Sequence, residues 1–166
     1  MDNFVPPKIV IVLDRLRSAF NTGNIFRIAE AVGAEEIIAC GYTPAPPHPK
    51  LEKTAMGADK MVKCRSFPTS LDAVKALRKE GFKQILAVES IEKTVCAWDY
   101  SYEYPLALIL GNEALGIAED ALAEVDGVVS LPMLGEKASI NVGNCAAVVL
   151  YSVIAHAIKQ QQNGAR

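Results

Sequence analysis

Residues 8–13 read KIVIVL, an apolar run dominated by β-branched side chains. A strand with one wet face alternates polar and apolar residues, so this run predicts a strand covered on both faces, as in a parallel sheet flanked by helices. Residues 36–40 (EIIAC), 84–88 (QILAV) and 106–110 (LALIL) repeat the pattern, and 128–131 (VVSL) is a shorter fifth. Helical periodicity falls between them at about residues 22–32, 71–80 and 141–159. Gly33 and Gly81 stand where C′ glycines end the first two helices, and Ser70 stands where a residue caps the second. Strand and helix alternate, which specifies an α/β class with a mainly parallel sheet.

The 166 residues suit one domain spanning 1–166, and 51% of them are hydrophobic. That fraction is more than one small core needs and points to self-association. The longest nearly apolar run, residues 145–158, is interrupted by Ser152 and His156 and reads as too short and too polar for a membrane span. No signal peptide is read in MDNFVPPKIVIVLD, and the polar residues 160–166 are expected to fray. The four cysteines form no CxxC pair, so neither a zinc site nor a disulfide framework is expected, and reduced thiols fit a cytoplasmic protein.

The net charge is −2, an unpromising balance for binding nucleic acid. Its distribution is uneven: residues 1–65 carry nine Lys or Arg against seven Asp or Glu, and the rest carry eight against twelve. An anionic ligand therefore meets the N-terminal part more readily. The proline-rich residues 43–50 (TPAPPHPK) read as an extended loop, either a stiff connector or the rim of a binding site.

Three clusters combine glycines with amide or hydroxyl side chains: NTGNIFR from Asn21 to Arg27, GNEALG after LALIL, and LPMLGEKASINV from Leu131. Parallel strands ending on one side would bring them together. The chain has no GxGxxG after its first strand and no GxxxxGK[ST], which excludes the common dinucleotide and P-loop fingerprints. With only His48 and His156, a histidine metal site or Ser-His-Asp triad is not expected, and His156 reads as a satisfied helix residue. Trp98, Tyr100, Tyr102 and Tyr104 in CAWDYSYEY read as packing or interface residues.

Taken together, the clusters resemble the motifs of the SpoU (TrmH-type) RNA ribose 2′-O-methyltransferases, within the knotted SPOUT superfamily. Asn21, Gly23, Arg27 and Gly33 fill the first motif, and Gly111, Asn112, Glu113 and Gly116 fill the second. Leu131, Pro132, Met133, Gly135, Ser139, Asn141 and Val142 fill the third, with Ser-Ile-Asn where Ser-Leu-Asn is usual. The segment 53–58 (KTAMGA) fits as well, and the resemblance covers residues 8–159.

The resemblance implies a C-terminal deep trefoil knot, a homodimer, and transfer of a methyl group from S-adenosylmethionine to a ribose 2′-hydroxyl of tRNA or rRNA. No metal and no membrane partner are implied. Val88, Glu89, Gly111, Leu131, Met133 and Ile140 would hold the cofactor. Gly111, Gly116 and Gly135 would allow crossing loops to approach closely. Arg27 would activate the hydroxyl, either as a base or by clamping a phosphate, the guanidinium being a weak base. Asn21, Glu113, Ser139 and Asn141 would orient Arg27, the ribose and the loops. Without the joint pattern, Asn21 reads as a helix N-cap, Ser139 as the cap of the last helix, and Glu113 as a solvated acid. The alternatives are a non-catalytic RNA-binding or assembly module of the same fold, or a methyltransferase for a non-RNA substrate.

Overall fold

A computed structural model describes residues 4–164. Its centre is a seven-stranded sheet, parallel throughout, in the order β3-β2-β1-β6-β4-β7-β5. The strands are β1 (Ile9–Asp14), β2 (Glu36–Cys40), β3 (Lys63–Phe67), β4 (Gln84–Val88), β5 (Val95–Cys96), β6 (Leu106–Gly111) and β7 (Gly127–Ser130). Every residue of β1, β2 and β4 is buried, as apolar runs without alternation require. Helices α1 (Ala19–Ala31), α2 (Pro49–Ala55), α3 (Ser70–Lys79), α4 (Glu119–Leu122) and α5 (Val142–Gly164) cover the two faces.

Side-chain alternation divides the core between those faces. Ile9, Ile11 and Leu13 pack with Ile25 and Phe26 of α1 and with Val149, Leu150 and Val153 of α5. Val10 and Val12 point the other way, toward Val74 and Leu77 of α3. The five apolar runs are all strands, each within one residue of its expected bounds.

β3 was not expected. Its sequence KCRSF is polar because it is an edge strand, held by pairing to β2 and by Arg65, which bridges Glu36 and Glu80. The two-residue β5 is likewise too short for a pattern. The proline-rich stretch is a loop only as far as His48; Pro49 opens α2, since proline at the first helical position loses no hydrogen bond, and His48 Nδ1 caps it. Thr69, not Ser70, caps α3, and Ser18, not Asn21, caps α1. Gly33 (φ 71°) and Gly81 (φ 84°) end α1 and α3 in left-handed conformation.

Residues 160–164 continue α5 instead of fraying. Gln160 donates to the Tyr102 carbonyl, and Gln161 exchanges two hydrogen bonds with the Val5 backbone, so the polar end is tied down. Residues 165 and 166 lie outside the described residues. At 23 residues α5 is long and apolar enough to cross a bilayer by length and composition. Its Gly143, Ala146, Val149, Leu150, Val153 and Ala157 are nevertheless buried within the fold. In the aromatic segment, Tyr102 is buried with its hydroxyl on the Ala97 carbonyl and Tyr104 donates to Val153, whereas Trp98 is exposed.

Candidate active site

The carboxyl ends of β4, β6 and β7 lie side by side, and the loops that leave them enclose a cavity of about 260 Å³. Ligand sites of open parallel sheets form at this edge. Val88 and Glu89 enter from β4, Gly111 from β6, Leu131 and Met133 from the segment after β7, and Ile140 from the approach to α5. All six residues expected to hold a cofactor therefore line one cavity. Glu113, Ser139 and Asn141 line it too.

Ser90, Leu110, Asn112, Ser130, Val142 and Cys145 complete the wall. Asn112 was visible only as part of GNE; its position directly after a buried strand was the signal that it turns the loop. Its Oδ1 accepts from the Ala114 and Leu115 N–H groups at 2.8 Å each, and its Nδ2 donates to the Arg15 carbonyl at 2.6 Å. Burial pushes the Cys145 thiol up to about 11, with the Glu89 charge adding to the effect, so it forms an apolar wall and not a nucleophile.

The GNE loop is drawn tight. A Cβ on Gly111 would lie 2.5 Å from the Ile117 nitrogen and 2.6 Å from the Gly116 carbonyl carbon, so only glycine allows residue 111 to pass beneath 116–117. Gly116 has φ 69°. Gly135 departs from expectation: a Cβ there meets nothing within 4 Å, so that turn is open and close approach does not explain its glycine. Glu89 braces the loop from β4, accepting from Ile117 N at 3.2 Å and Ser90 N at 3.1 Å. From β1, the buried Asp14 accepts from Ala118 N at 2.7 Å, and Arg15 reaches the Gly116 carbonyl at 3.3 Å.

Glu113 joins this loop to the first cluster. It accepts from the backbone N–H groups of Arg17 and Ser18 and from Asn21 Nδ2, at 3.2, 3.4 and 3.2 Å. Partial burial acts to raise its carboxyl, but hydrogen bonds from its own N–H, Arg17, Asn21 and Ser18 outweigh that and leave it below the usual range. Asn21 also accepts from Asn141 Nδ2 at 3.0 Å, while Asn141 Oδ1 accepts from Gly143 and Asn144 N–H at the start of α5. Asn141, not Ser139, thus caps the last helix.

Arg27 is set apart from this group. It is exposed on α1 and is absent from the cavity wall. Six residues along a helix turn a side chain by about 240°, so Arg27 cannot share the direction of Asn21. Gly23 explains the helix packing instead: a Cβ there would collide with the Leu51 carbonyl and Thr54 Oγ1 of α2. Thr54, in the KTAMGA segment, donates to the Phe20 carbonyl at 2.9 Å and so fastens α2 to the start of α1.

Apolar walls from Val88, Leu110, Leu131, Met133 and Ile140, with the bare backbone at Gly111, fit an adenine nucleoside that stacks and pairs along its edge. Among the described residues no group of three or more His, Cys, Asp or Glu is placed to hold a metal.

The profile of the SpoU rRNA Methylase family matches residues 8–151. The chain is 32% identical over 145 residues to a tRNA (guanosine(18)-2′-O)-methyltransferase of Thermus thermophilus, covering 87% of this chain and 73% of that one. It is 31% identical over 157 residues to the Escherichia coli protein of the same description, covering 95% of this chain and 66% of that one. The solved structure of the SpoU methyltransferase AviRb from Streptomyces viridochromogenes, in complex with the cofactor AdoMet, superposes with TM-score 0.82 at 26% identity, over 93% of this chain and 60% of that one. The sequence match, the parallel sheet and the joining of all three motifs at one cavity agree: the chain belongs to the SpoU rRNA Methylase family.

Proposed function

We propose that the chain is an S-adenosylmethionine-dependent methyltransferase that modifies a ribose 2′-hydroxyl of tRNA or rRNA. The observation that carries the reading is the hydrogen-bonded junction of Asn21, Glu113 and Asn141 at the rim of the cavity. The names of the relatives and the AdoMet-bound neighbour support it. When bound, S-adenosylmethionine supplies an electrophilic methyl group.

The protein's own residues carry the remaining tasks. Val88, Leu131, Met133 and Ile140 shield the adenine from water, and Gly111 lets the ligand lie against backbone. Asn21, Ser139 and Asn141 orient the ribose, the two asparagines held by Glu113 and by the start of α5. Arg27 clamps an RNA phosphate and stabilises charge growing on the 2′-oxygen, a task for a planar guanidinium that stands exposed on α1, outside the cavity wall. The segment from Gly111 through α5 forms the family's trefoil knot, and the tight turn of Gly111 against Gly116 and Ile117 shapes its first loop. The protein acts in the cytoplasm as a homodimer through the exposed face of α5, which carries the exposed Tyr151 and where the exposed Val148 and Trp98 line one shallow groove.

The test is methyl transfer from labelled S-adenosylmethionine to unmodified tRNA and rRNA, with nucleoside mapping and an Arg27→Ala control. Labelled 2′-O-methyl nucleosides, reduced about 100-fold or more in the variant, are expected. Cofactor binding without labelled RNA would overturn the reading, and equal labelling by the variant would overturn the role of Arg27. Light scattering showing a stable monomer at micromolar concentration would overturn the dimer.

A further inference from the structure

The residues assigned to the cofactor occupy the carboxyl ends of β4, β6 and β7. The same edge continues across β1 and β2, which carry Arg15, Arg17 and Tyr42. An RNA strand reaching the cavity from that side passes over Tyr42.

Tyr42 is 57% exposed, yet it is held at both ends. Its hydroxyl accepts a hydrogen bond at 3.0 Å from Asn112 Nδ2, the amide that also donates to the Arg15 carbonyl. On the backbone side, Thr43 is buried, with its hydroxyl 3.0 Å from Leu16 N, 3.0 Å from the Leu13 carbonyl and 2.8 Å from the Cys40 carbonyl. Pro44, Pro46 and Pro47 then stiffen the loop. An exposed ring fixed in this way gains little from the core. It does present a flat apolar face whose ordering cost is already met, which is what a stacking partner requires. The exposed Arg17 adds positive charge to the loop after β1, the loop whose Arg15 carbonyl shares the Asn112 amide with Tyr42.

We propose that Tyr42 is a stacking platform for a nucleobase of the RNA strand that enters the site, next to the nucleotide being methylated. The proposal rests on the reading of the chain as an RNA methyltransferase. Through Asn112, the platform is tied to the GNE loop, so a stacked base is registered against the cavity. The stretch that read as a stiff connector or a binding rim is then a rim stiffened by its prolines.

The experiment compares the full chain with Tyr42→Phe, Tyr42→Trp and Tyr42→Ala. Binding of fluorescein-labelled unmodified tRNA and an rRNA fragment is followed by anisotropy, alongside KM values for RNA and for S-adenosylmethionine. Phe and Trp keep a ring and lose the hydroxyl, while Ala loses both. Tyr42→Ala is expected to weaken RNA binding and raise the RNA KM about 10-fold, with the cofactor KM unchanged and most of the loss restored in Phe and Trp. Equal defects in all three variants would reduce Tyr42 to a support for Asn112 and overturn the platform, as would RNA binding indifferent to Ala or absent altogether. RNA binding that depends on the ring, in a chain that transfers no methyl, would keep the platform and overturn only the activity.

Discussion

Asn141 donates its side-chain amide to the Asn21 oxygen at 3.0 Å across 120 positions of sequence, and Asn21 passes a second bond to Glu113 at 3.2 Å. One side chain at the start of α1 thereby locks together the loop after β6 and the beginning of α5. Asn21→Ala removes both contacts and leaves the helix cap at Ser18 intact. We expect kcat to fall about 100-fold through misplacement of the rim. Stability should drop by about 1 kcal/mol, seen as a Tm lower by roughly 2–4 °C. Single-turnover methyl transfer and thermal melting measure the two, and an unchanged kcat would remove Asn21 from the site.

Glu113 carries a pH dependence of definite sign. Its carboxyl is depressed in the fold. Its hydrogen bonds therefore stabilise the protein above the unfolded carboxyl value of about 4.3, and that contribution is lost as the pH falls through the folded value. The group is largely exposed, so solvent limits the size of the effect. Urea midpoints of the wild type and Glu113→Gln should differ at pH 7 and converge as the pH falls below about 4. A gap that persists at low pH would show that the charge is not the source.

Gly111→Ala places a Cβ 2.5 Å from Ile117 N, where the neighbour is backbone that Glu89 holds in place. The chain should lose about 1–3 kcal/mol, with cofactor binding lost as the loop is displaced. Gly135→Ala, with nothing within 4 Å of its Cβ, should leave stability unchanged within about 0.5 kcal/mol. Calorimetric titration with S-adenosylmethionine and urea unfolding separate the two, and similar behaviour of the pair would contradict the geometry.

Arg15 combines strain with bonding. Its φ is 54°, a region costly for a side-chain-bearing residue, while its guanidinium makes two 3.1 Å bonds to the buried Asp14. Arg15→Gly relieves the backbone but strips Asp14 of its countercharge. The loss should dominate, at about 2–4 kcal/mol net, because removing the ionic partner of a buried carboxylate costs about 3–5 kcal/mol against roughly 1 kcal/mol of relieved strain. Adding Asp14→Asn should recover part of it. A more stable Arg15→Gly would show that the strain outweighs the ion pair.

Elements whose signal is local were legible in the chain. KIVIVL, QILAV and LALIL declared buried parallel strands because burial on both faces writes itself as an unbroken apolar run. Gly33 and Gly81 marked helix ends because only a left-handed residue fits there. Residues of the second and third motifs, with Val88 and Glu89, line one cavity, and Asn21 of the first motif is bonded to its rim. β3 escaped notice because an edge strand is held by ladder bonds and the Arg65–Glu36 pair, neither of which imposes an apolar pattern. α2 hid among prolines, since Pro49 breaks a helix everywhere except at its first turn.

What only the tertiary structure decided is direction and company. Taken alone Asn21 reads as a cap, and by resemblance it orients Arg27, the ribose and the loops; helix phase turns Asn21 toward Glu113 and Asn141 and leaves Arg27 at the surface. Asp14, Arg15 and Asn112 gained importance because strand order sets the end of β1 beside that of β6, although nearly a hundred residues separate them in the chain. Residue types and spacing encode what a segment does with its own backbone. Which side chains meet depends on the register between segments, and that is established when the sheet and its two helical layers close around a common core.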